Sequence, residues 1–533
     1  MPDIILTTLN AKYSHTAFGL RCLLANMGVL KERATLLEFD ISQRPVDIAE
    51  ALLARNPKII GFGVYVWNVT PTTEVVAAIK RLRPEITIIL GGPEVSFDVE
   101  GLRVVELADA VIAGEADLEF GRLCGQVLAG APGLTRFPAA EPPDLSRIML
   151  PYDLYDDRDI AHRVIYVEAS RGCPFSCEFC LSALDVPVRQ VPLTALFAHL
   201  DRLFQRGTRQ LKFVDRTFNL DLEVSQAILR FLLARYQPGH LFHFELVPDR
   251  LPPVLREIIM RFPPGALQFE VGVQTFNPEV AERIHRRQNY QRLEENLLFL
   301  RRETGVHLHA DLVLGLPGED RDSFAAGFDR LVSLGPQEIQ VGILKRLRGA
   351  PIARHDSEWQ MVYNPYPPYE ILQHRLLDFG AMQQLRRFAR FWDLISNSGN
   401  FVETTPLVWS GTTPFTGFLR CSEWLFGRVG RTTGIALVRL MALLFDYLTQ
   451  EVHLERELVA EALWRDYQRG GRRDKPDFLR EFLPAIQPGI TRPLAAPQLP
   501  RQARHNAWAA SKKRVQRQGP AEAGPWCEKV IDQ

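Results

Sequence analysis

Runs of consecutive apolar residues alternate with helical patterns along the first 128 residues. "DIILTTL" precedes a helical stretch near 17–30, and "TLLEFDI" precedes "VDIAEALLAR". "KIIGFGVYV" precedes "TTEVVAAIKRL", "ITIIL" ends at "GGPE", and "DAVIAG" precedes "EADLEFGRLCGQVL". An unbroken apolar run is a strand buried on both faces, the pattern of a parallel sheet covered by helices. The pattern predicts an α/β fold that opens with a doubly wound, Rossmann-like parallel sheet over 1–128. Ligands bind such sheets beyond the carboxyl ends of the strands, here in "NAKYSH", "YVWN", "GGPEVS" and "GEAD".

Residues 129–160 read as a linker, rich in Pro and Gly at first and without periodicity. Over 161–343 the strand–helix rhythm resumes with "VIYVEA", "QLKFVD", "LFHFELV", "LQFEVGVQ", "VHLHADLVLG" and "EIQVGIL". Six units stop short of the eight of a closed barrel, so a partial (β/α)6 TIM-like barrel is expected, with active groups at strand carboxyl ends. From 344 to 470 the strand rhythm gives way to amphipathic patterns, which predict a mainly helical C-terminal domain. Residues 471–533 are rich in Pro, Arg, Gln and Ala and are expected to be disordered.

At 46% hydrophobic and 24% charged residues, the 533-residue chain can bury more than one core. A formal net charge of zero gives no global attraction to nucleic acid or anionic membrane. No run approaches the roughly 18 apolar residues of a membrane span, and the N-terminus lacks the basic start of a signal peptide. Three of the seven cysteines sit together, which points to metal or redox chemistry in a reducing, cytoplasmic setting.

Those three, Cys173, Cys177 and Cys180, lie in "RGCPFSCEFC" just after a strand. A C-x3-C-x2-C loop can wrap an iron–sulfur cubane, giving three irons a thiolate each and leaving one iron open. The competing reading is a zinc site completed by a distant Cys or His. Of the other cysteines, Cys22 and Cys124 fall in helical stretches and read as buried core thiols.

The spacing, with Phe179 just before the third cysteine, resembles the radical S-adenosylmethionine (SAM) superfamily. That resemblance implies a 4Fe-4S cluster whose open iron binds SAM, and reductive SAM cleavage to a 5′-deoxyadenosyl radical. "FEVGVQTFNPEVAERIHRRQ" (269–288) is similar to a segment of the coproporphyrinogen-oxidase-like branch. "DLVLGLPGED" (311–320) is similar to that branch's fifth-strand motif, with Asp311, Gly315, Pro317, Gly318 and Glu319 at matching places. Gln274 and Asp311 would then end strands where ribose hydroxyls need a donor and an acceptor, and Arg286 would meet the methionine carboxylate. Where the family often carries a Gly-Gly-Glu segment, this chain reads "FVDRTFN" (213–219), and Asp215 is the candidate substitute acid.

In the first domain, "GGPE" (91–94) and "GEADLEF" (114–120) resemble the cobalamin-binding domain fused to many radical SAM proteins. The candidate contacts are Gly91, Gly92, Glu94, Gly114 and Glu115, with Tyr65 and Trp67 either packing on the macrocycle or belonging to a domain interface. His15, in "KYSHTAFG", is a candidate cobalt ligand, although Tyr13 and the late Gly19 depart from the family's Asp-x-His-x-x-Gly; the alternative is a histidine packing the first helix. No G-x-G-x-x-G follows the first strand, which argues against a dinucleotide site. No second cysteine trio exists, which argues against a methylthiotransferase.

"YNPYPPYEIL" and "FWDLISNSGNF" resemble an uncharacterised C-terminal domain of cobalamin-type radical SAM proteins, expected to cap the open end of the barrel. The basic tail at 501–518 reads as solvated, and no nucleic-acid or membrane partner is expected. The expected activity is cobalamin-dependent methyl transfer to an unactivated carbon of an unknown substrate, with an electron donor such as flavodoxin or ferredoxin. The alternatives are a cobalamin-using rearrangement without methyl transfer and a non-catalytic cobalamin or redox sensor. No catalytic acid or base is assigned.

Overall fold

The structure is a computed structural model that describes residues 2–131, 133–184, 187–472, 474–482 and 501–505. Its first five strands are β1 (Ile4–Asn10), β2 (Ala34–Asp40), β3 (Ile59–Gly63), β4 (Thr87–Gly91) and β5 (Ala110–Ile112). They form one sheet in the order β2-β1-β3-β4-β5, and every neighbouring pair is parallel. This is a doubly wound order, with the chain reversing direction across the sheet at β1/β3. Helices α1 (Phe18–Ala25), α2 (Pro45–Leu53), α3 (Val69–Leu82), α4 (Arg103–Leu107) and α5 (Glu119–Leu128) cover both faces. Two separate apolar clusters, one per face, hold them there.

Helix α6 (Asp157–His162) and strand β6 (Ile165–Val167) lead into the barrel. A short antiparallel hairpin, β7 (Ser170–Arg171) with β8 (Arg189–Gln190), closes the base of the cysteine loop. Then come α7 (Leu193–Gln205), β9 (Gln210–Phe213), α8 (Leu222–Ala234), β10 (Leu241–Leu246) and α9 (Pro253–Met260). They are followed by β11 (Leu267–Gln274), α10 (Pro278–Arg283), α11 (Tyr290–Glu303), β12 (His307–Leu314), α12 (Arg321–Leu334) and β13 (Glu338–Ile343). The sheet order β13-β12-β11-β10-β9-β6 leaves β13 and β6 as edges, so the barrel is open as expected.

Both edges are covered. The Asn397 side chain bonds both the N–H and the C=O of Ile339 on β13, taking the place of a neighbouring strand. At the other edge the first domain supplies the cover: His15 pairs with Val164, and the Val164 N–H donates to Ser14 O at 3.0 Å.

The expected linker at 129–160 is built into the core at its end, where Tyr152 and Tyr155 are fully buried. Beside them Arg21, Glu38, Asp159 and Arg163 form a buried box of charges that joins α1 and β2 to α6. Burial works against the Glu38 charge, yet the two guanidinium groups hold its carboxyl down at about 2.

After the barrel, a two-stranded ribbon, β14 (Val362–Tyr363) and β15 (Ile371–Gln373), precedes the helices α13 (Phe379–Ile395), α14 (Pro414–Val429), α15 (Leu437–Gln450) and α16 (Arg456–Arg469). Phe328 of α12 meets Phe388 and Trp392 of α13 at ring distances of 4.9 and 4.7 Å. One apolar cluster runs from Leu145 to Leu479 through barrel and helices alike. The helices therefore buttress the flank of the barrel; they do not form the lid the sequence led us to expect. The expectation of disorder over 471–533 falls largely outside the described residues. The described stretch 501–505 is helical and docked, with Arg501 paired to Glu338 at 2.8 Å and His505 against His307.

Candidate functional site

The cysteine loop leaves the barrel sheet beyond β6, so its thiols open at the carboxyl ends of the strands. Cys173, Cys177 and Cys180 line one cavity of about 240 Å³ together with Phe179, Gln274, Arg286 and Asp311. The tertiary structure thus brings seven residues singled out in the sequence into one space. No group of three His, Cys, Asp or Glu side chains among the described residues converges tightly enough to hold a single metal ion. A cubane asks instead for one thiolate at each of three separate irons, which the open loop provides. Burial pushes the Cys173 thiol up, the opposite of what a nearby metal cation would do to a ligating thiol.

Gln274 ends β11 in a left-handed backbone conformation (φ 72°), next to a register shift against β12. Such a strained end is held only by its surroundings. Gln288 Nε2 donates to Val273 O at 2.9 Å and to Thr275 O at 3.2 Å. Arg286 donates to Gly272 O and lies with Nη1 3.7 Å from Cys177 Sγ. Asp311 pairs across the sheet with Gly272, and burial raises its carboxyl, with His309 Nε2 at 3.3 Å.

Asp215 is not among the residues lining this cavity. It is buried behind β6, accepting the Ala169 N–H at 3.0 Å and the Ser170 hydroxyl at 2.6 Å, and burial pushes it up to about 6. Its neighbour Arg216 lines the cavity instead.

Glu319 lies behind the end of β11, where it accepts the Thr275 hydroxyl at 2.5 Å. Burial pushes its carboxyl up to about 8. The folded state therefore keeps a proton that the unfolded chain releases near an ordinary value of about 4.3. Stability from this group is present at low pH and is lost as pH rises from about 4.3 to about 8. Glu319→Gln, which keeps the neutral form, is expected to flatten the fall of Tm with pH over that window. An unchanged slope in a scan from pH 5 to 8.5 would count against the assignment.

A second cavity, of about 360 Å³, lies between the carboxyl ends of the first sheet and the barrel. Tyr65, Gly91, Gly92, Gly114 and Glu115 line it from the first domain, and Glu168, Arg171, Ser182 and Arg216 from the barrel. Gly92 has φ 106°, and a Cβ there would sit 2.5 Å from Val64 O, so the chain turns in space that only glycine allows. Gly61, Gly63 and Gly91 also line this cavity, with the Phe120 ring packed over Gly61, where a Cβ would sit 2.6 Å away. The glycine rim at Gly91, Gly92 and Gly114 lets a planar macrocycle approach the backbone.

Trp67, His15 and Glu94 do not line this cavity. Trp67 stacks on Tyr65 at 4.4 Å and donates to Leu9 O, a support behind the lining residue. His15 is drawn to the β6 edge by its backbone pairing, and its Nδ1 lies 2.5 Å from Tyr166 Oη. Glu94 is buried and accepts the Tyr369 hydroxyl at 2.5 Å, with Arg348 Nε at 3.3 Å.

Sequence reasoning missed Arg171, Asp117, Glu168 and Arg216. Arg171 is held by Glu115 at 2.8 Å, Asp117 at 2.8 Å and Glu168 at 2.9 Å, which ties the "GEAD" loop to the strand that feeds the cysteine loop. Burial opposes the charge on Arg171, yet these carboxylates hold its pKa above the usual arginine value. Burial pushes Glu168 up to about 7. The available signal was a charged residue in or just after an apolar strand run, where charge is rarely buried without a partner.

A B12-binding domain matches residues 4–123, a radical SAM superfamily domain residues 167–331, and a protein of unknown function family (DUF4080) residues 357–496. The chain carries a radical SAM superfamily domain with a B12-binding domain in front, and its cofactors are a 4Fe-4S cluster, SAM and cobalamin. It is 26% identical over 335 residues to 2-(S-pantetheinyl)-carbapenam-3-carboxylate methyltransferase of Streptantibioticus cattleyicolor, covering 56% of this chain and 48% of that protein. It is 24% identical over 340 residues to the cobalamin-dependent radical SAM methyltransferase TokK of Streptomyces tokunonensis, with the same coverage. The chain thus spans about half the length of these relatives. Its fold is similar to that of the radical SAM methyltransferase TsrM from Kitasatospora setae, with a TM-score of 0.55 and 16% identity over 70% of this chain and 80% of that one. Among the described residues, no helix is long and apolar enough to cross a membrane.

Proposed function

We propose that the protein is a cobalamin-dependent radical SAM methyltransferase that places a methyl group on an unactivated carbon. The observation that carries this reading is that the two cavities meet. Ser182 and Arg216 line both the cysteine cavity and the glycine-rimmed cavity, so a substrate at that junction is within reach of both cofactors.

When bound, the reduced cluster and SAM supply a hydrogen-abstracting radical, and cobalamin supplies a transferable methyl group. The chain's own work is holding and aiming. Cys173, Cys177 and Cys180 hold the cluster; Phe179, Gln274, Arg286 and Asp311 enclose SAM beside it; the rims at Gly91–Gly92 and Gly114–Glu115 hold the corrin. Arg171 is saturated by three carboxylates, and Arg286 is engaged by Gly272 O and Cys177. Arg216 is paired only loosely, with Glu245 at 3.4 Å, and its side chain is 56% exposed. It is therefore placed to orient an anionic group of the substrate. Reduction needs an external donor, and a flavodoxin or ferredoxin in the cytoplasm is the proposed one.

The test is anaerobic reconstitution with iron, sulfide and hydroxocobalamin, followed by incubation with reductant, SAM and a small-molecule extract of the source cell. Two SAM molecules serve each turnover in this scheme, so 5′-deoxyadenosine and S-adenosylhomocysteine should rise together in equal amounts. Extract-dependent 5′-deoxyadenosine without S-adenosylhomocysteine would overturn methyl transfer in favour of a rearrangement.

A further inference from the structure

Glu178 sits between two of the cluster cysteines, yet it does not line their cavity, and its side chain is 2% exposed. A carboxylate withdrawn from water needs partners. One oxygen faces Arg354 Nη2 at 2.5 Å and His285 Nδ1 at 3.2 Å. The other faces His355 Nε2 at 2.7 Å and Arg354 Nε at 2.9 Å. The backbone of the same residue is held as well. Its N–H donates to Ile284 O at 3.1 Å, and its C=O accepts the Ile352 N–H at 2.9 Å.

Two segments supply these partners. The turn at 284–285 runs directly into Arg286, which faces Cys177. The segment around 351–355 continues back to Arg348 and Gly349, which bond to the loop beyond β4. Arg348 Nη1 donates to Asp98 O at 2.5 Å, and the Gly349 N–H donates to Asp98 Oδ2 at 2.9 Å. One strap, 348–355, thus joins a loop at the carboxyl end of the first sheet to the middle of the cysteine loop.

We propose that Glu178 is a positioning residue: through His285 and the Arg354–His355 strap it holds the cysteine loop in its cluster-binding shape before the cluster arrives. Holding the loop in advance removes the ordering cost from cluster assembly. The role is independent of what reaction follows SAM cleavage.

The test uses the full-length apo chain under anaerobic conditions, with iodoacetamide alkylation of each cysteine followed by peptide mass spectrometry. Glu178→Gln is expected to speed alkylation of Cys173, Cys177 and Cys180 by roughly ten- to a hundredfold, the opening cost that one charge-assisted hydrogen bond supplies. Cys124 and Cys421, buried in α5 and α14, report global loosening and should keep their rates. Arg354→Gln changes a residue whose side chain is 51% exposed, risks less of the fold, and should act in the same direction. Arg354→Lys, which keeps the charge, should restore part of the protection. If the three loop cysteines are unchanged in both neutral variants, or rise only in step with Cys124 and Cys421, the proposal is wrong.

Discussion

Cys177→Ala is expected to cut cluster iron from about four per chain to less than about one, while cobalt uptake stays close to that of the parent protein. Cys177 is the middle cysteine of the loop, buried, with Arg286 Nη1 3.7 Å from its sulfur. With two thiolates left, a second iron loses its protein ligand and the cubane is no longer retained. The glycine-rimmed cavity is untouched, because no cluster cysteine lines it. Iron, sulfide and cobalt counts on protein reconstituted anaerobically decide the matter. Retained iron would overturn the cluster assignment, and loss of iron and cobalt together with a lowered Tm would signal unfolding.

Arg171→Leu is expected to strike both cofactors at once. Its guanidinium pairs with Glu115, Asp117 and Glu168, whose side chains are 20%, 5% and 14% exposed. Removing one partner of a buried ionic group leaves charge without compensation, at about 3–5 kcal/mol. Glu115 keeps Arg189 and Glu168 protonates readily, so the lower end of that range applies. The "GEAD" loop then loses its tie to β7, two residues before Cys173. A fall in the denaturant midpoint at unchanged m-value, with lowered cobalt and iron uptake, is the expected result. Cobalt uptake at the parent level would mean that the remaining contacts of the first domain, among them the Arg21–Glu38–Asp159–Arg163 box and the Arg348–Asp98 strap, hold the cavity together without Arg171.

The contrast between the two variants follows from where their partners lie in the chain. Cys173, Cys177 and Cys180 are neighbours in sequence, so their spacing is enough to mark a candidate metal site. Arg171 reaches Glu115 across 56 positions, and Arg354 reaches Glu178 across 176. No periodicity records such pairs. The same limit explains the placements that differ from expectation. "FVDRTFN" put an acid and an arginine side by side, but only the turn beyond β9 decided that Asp215 faces backbone and Arg216 faces the cavity. His15 and Glu94 lie in loops at strand ends, as a cofactor ligand should, yet backbone pairing at the β6 edge takes one and Tyr369 takes the other.

What the sequence by itself determined is the part set by local rules. Apolar runs of strand length separated by helices specify two parallel sheets, because each strand must bury both faces wherever it ends up. Three cysteines in eight positions specify a metal-binding loop, which the resemblance to radical SAM proteins reads as a cluster site, and glycine pairs at strand ends mark where a ligand approaches the backbone. The tertiary structure alone decided that the two cavities share Arg216 and Ser182, that the C-terminal helices buttress the barrel, and that a strap ties both cofactor loops together. Those outcomes depend on buried charges finding partners at long sequence separation. Burial makes such partners necessary, and only the folded chain says which residues they are.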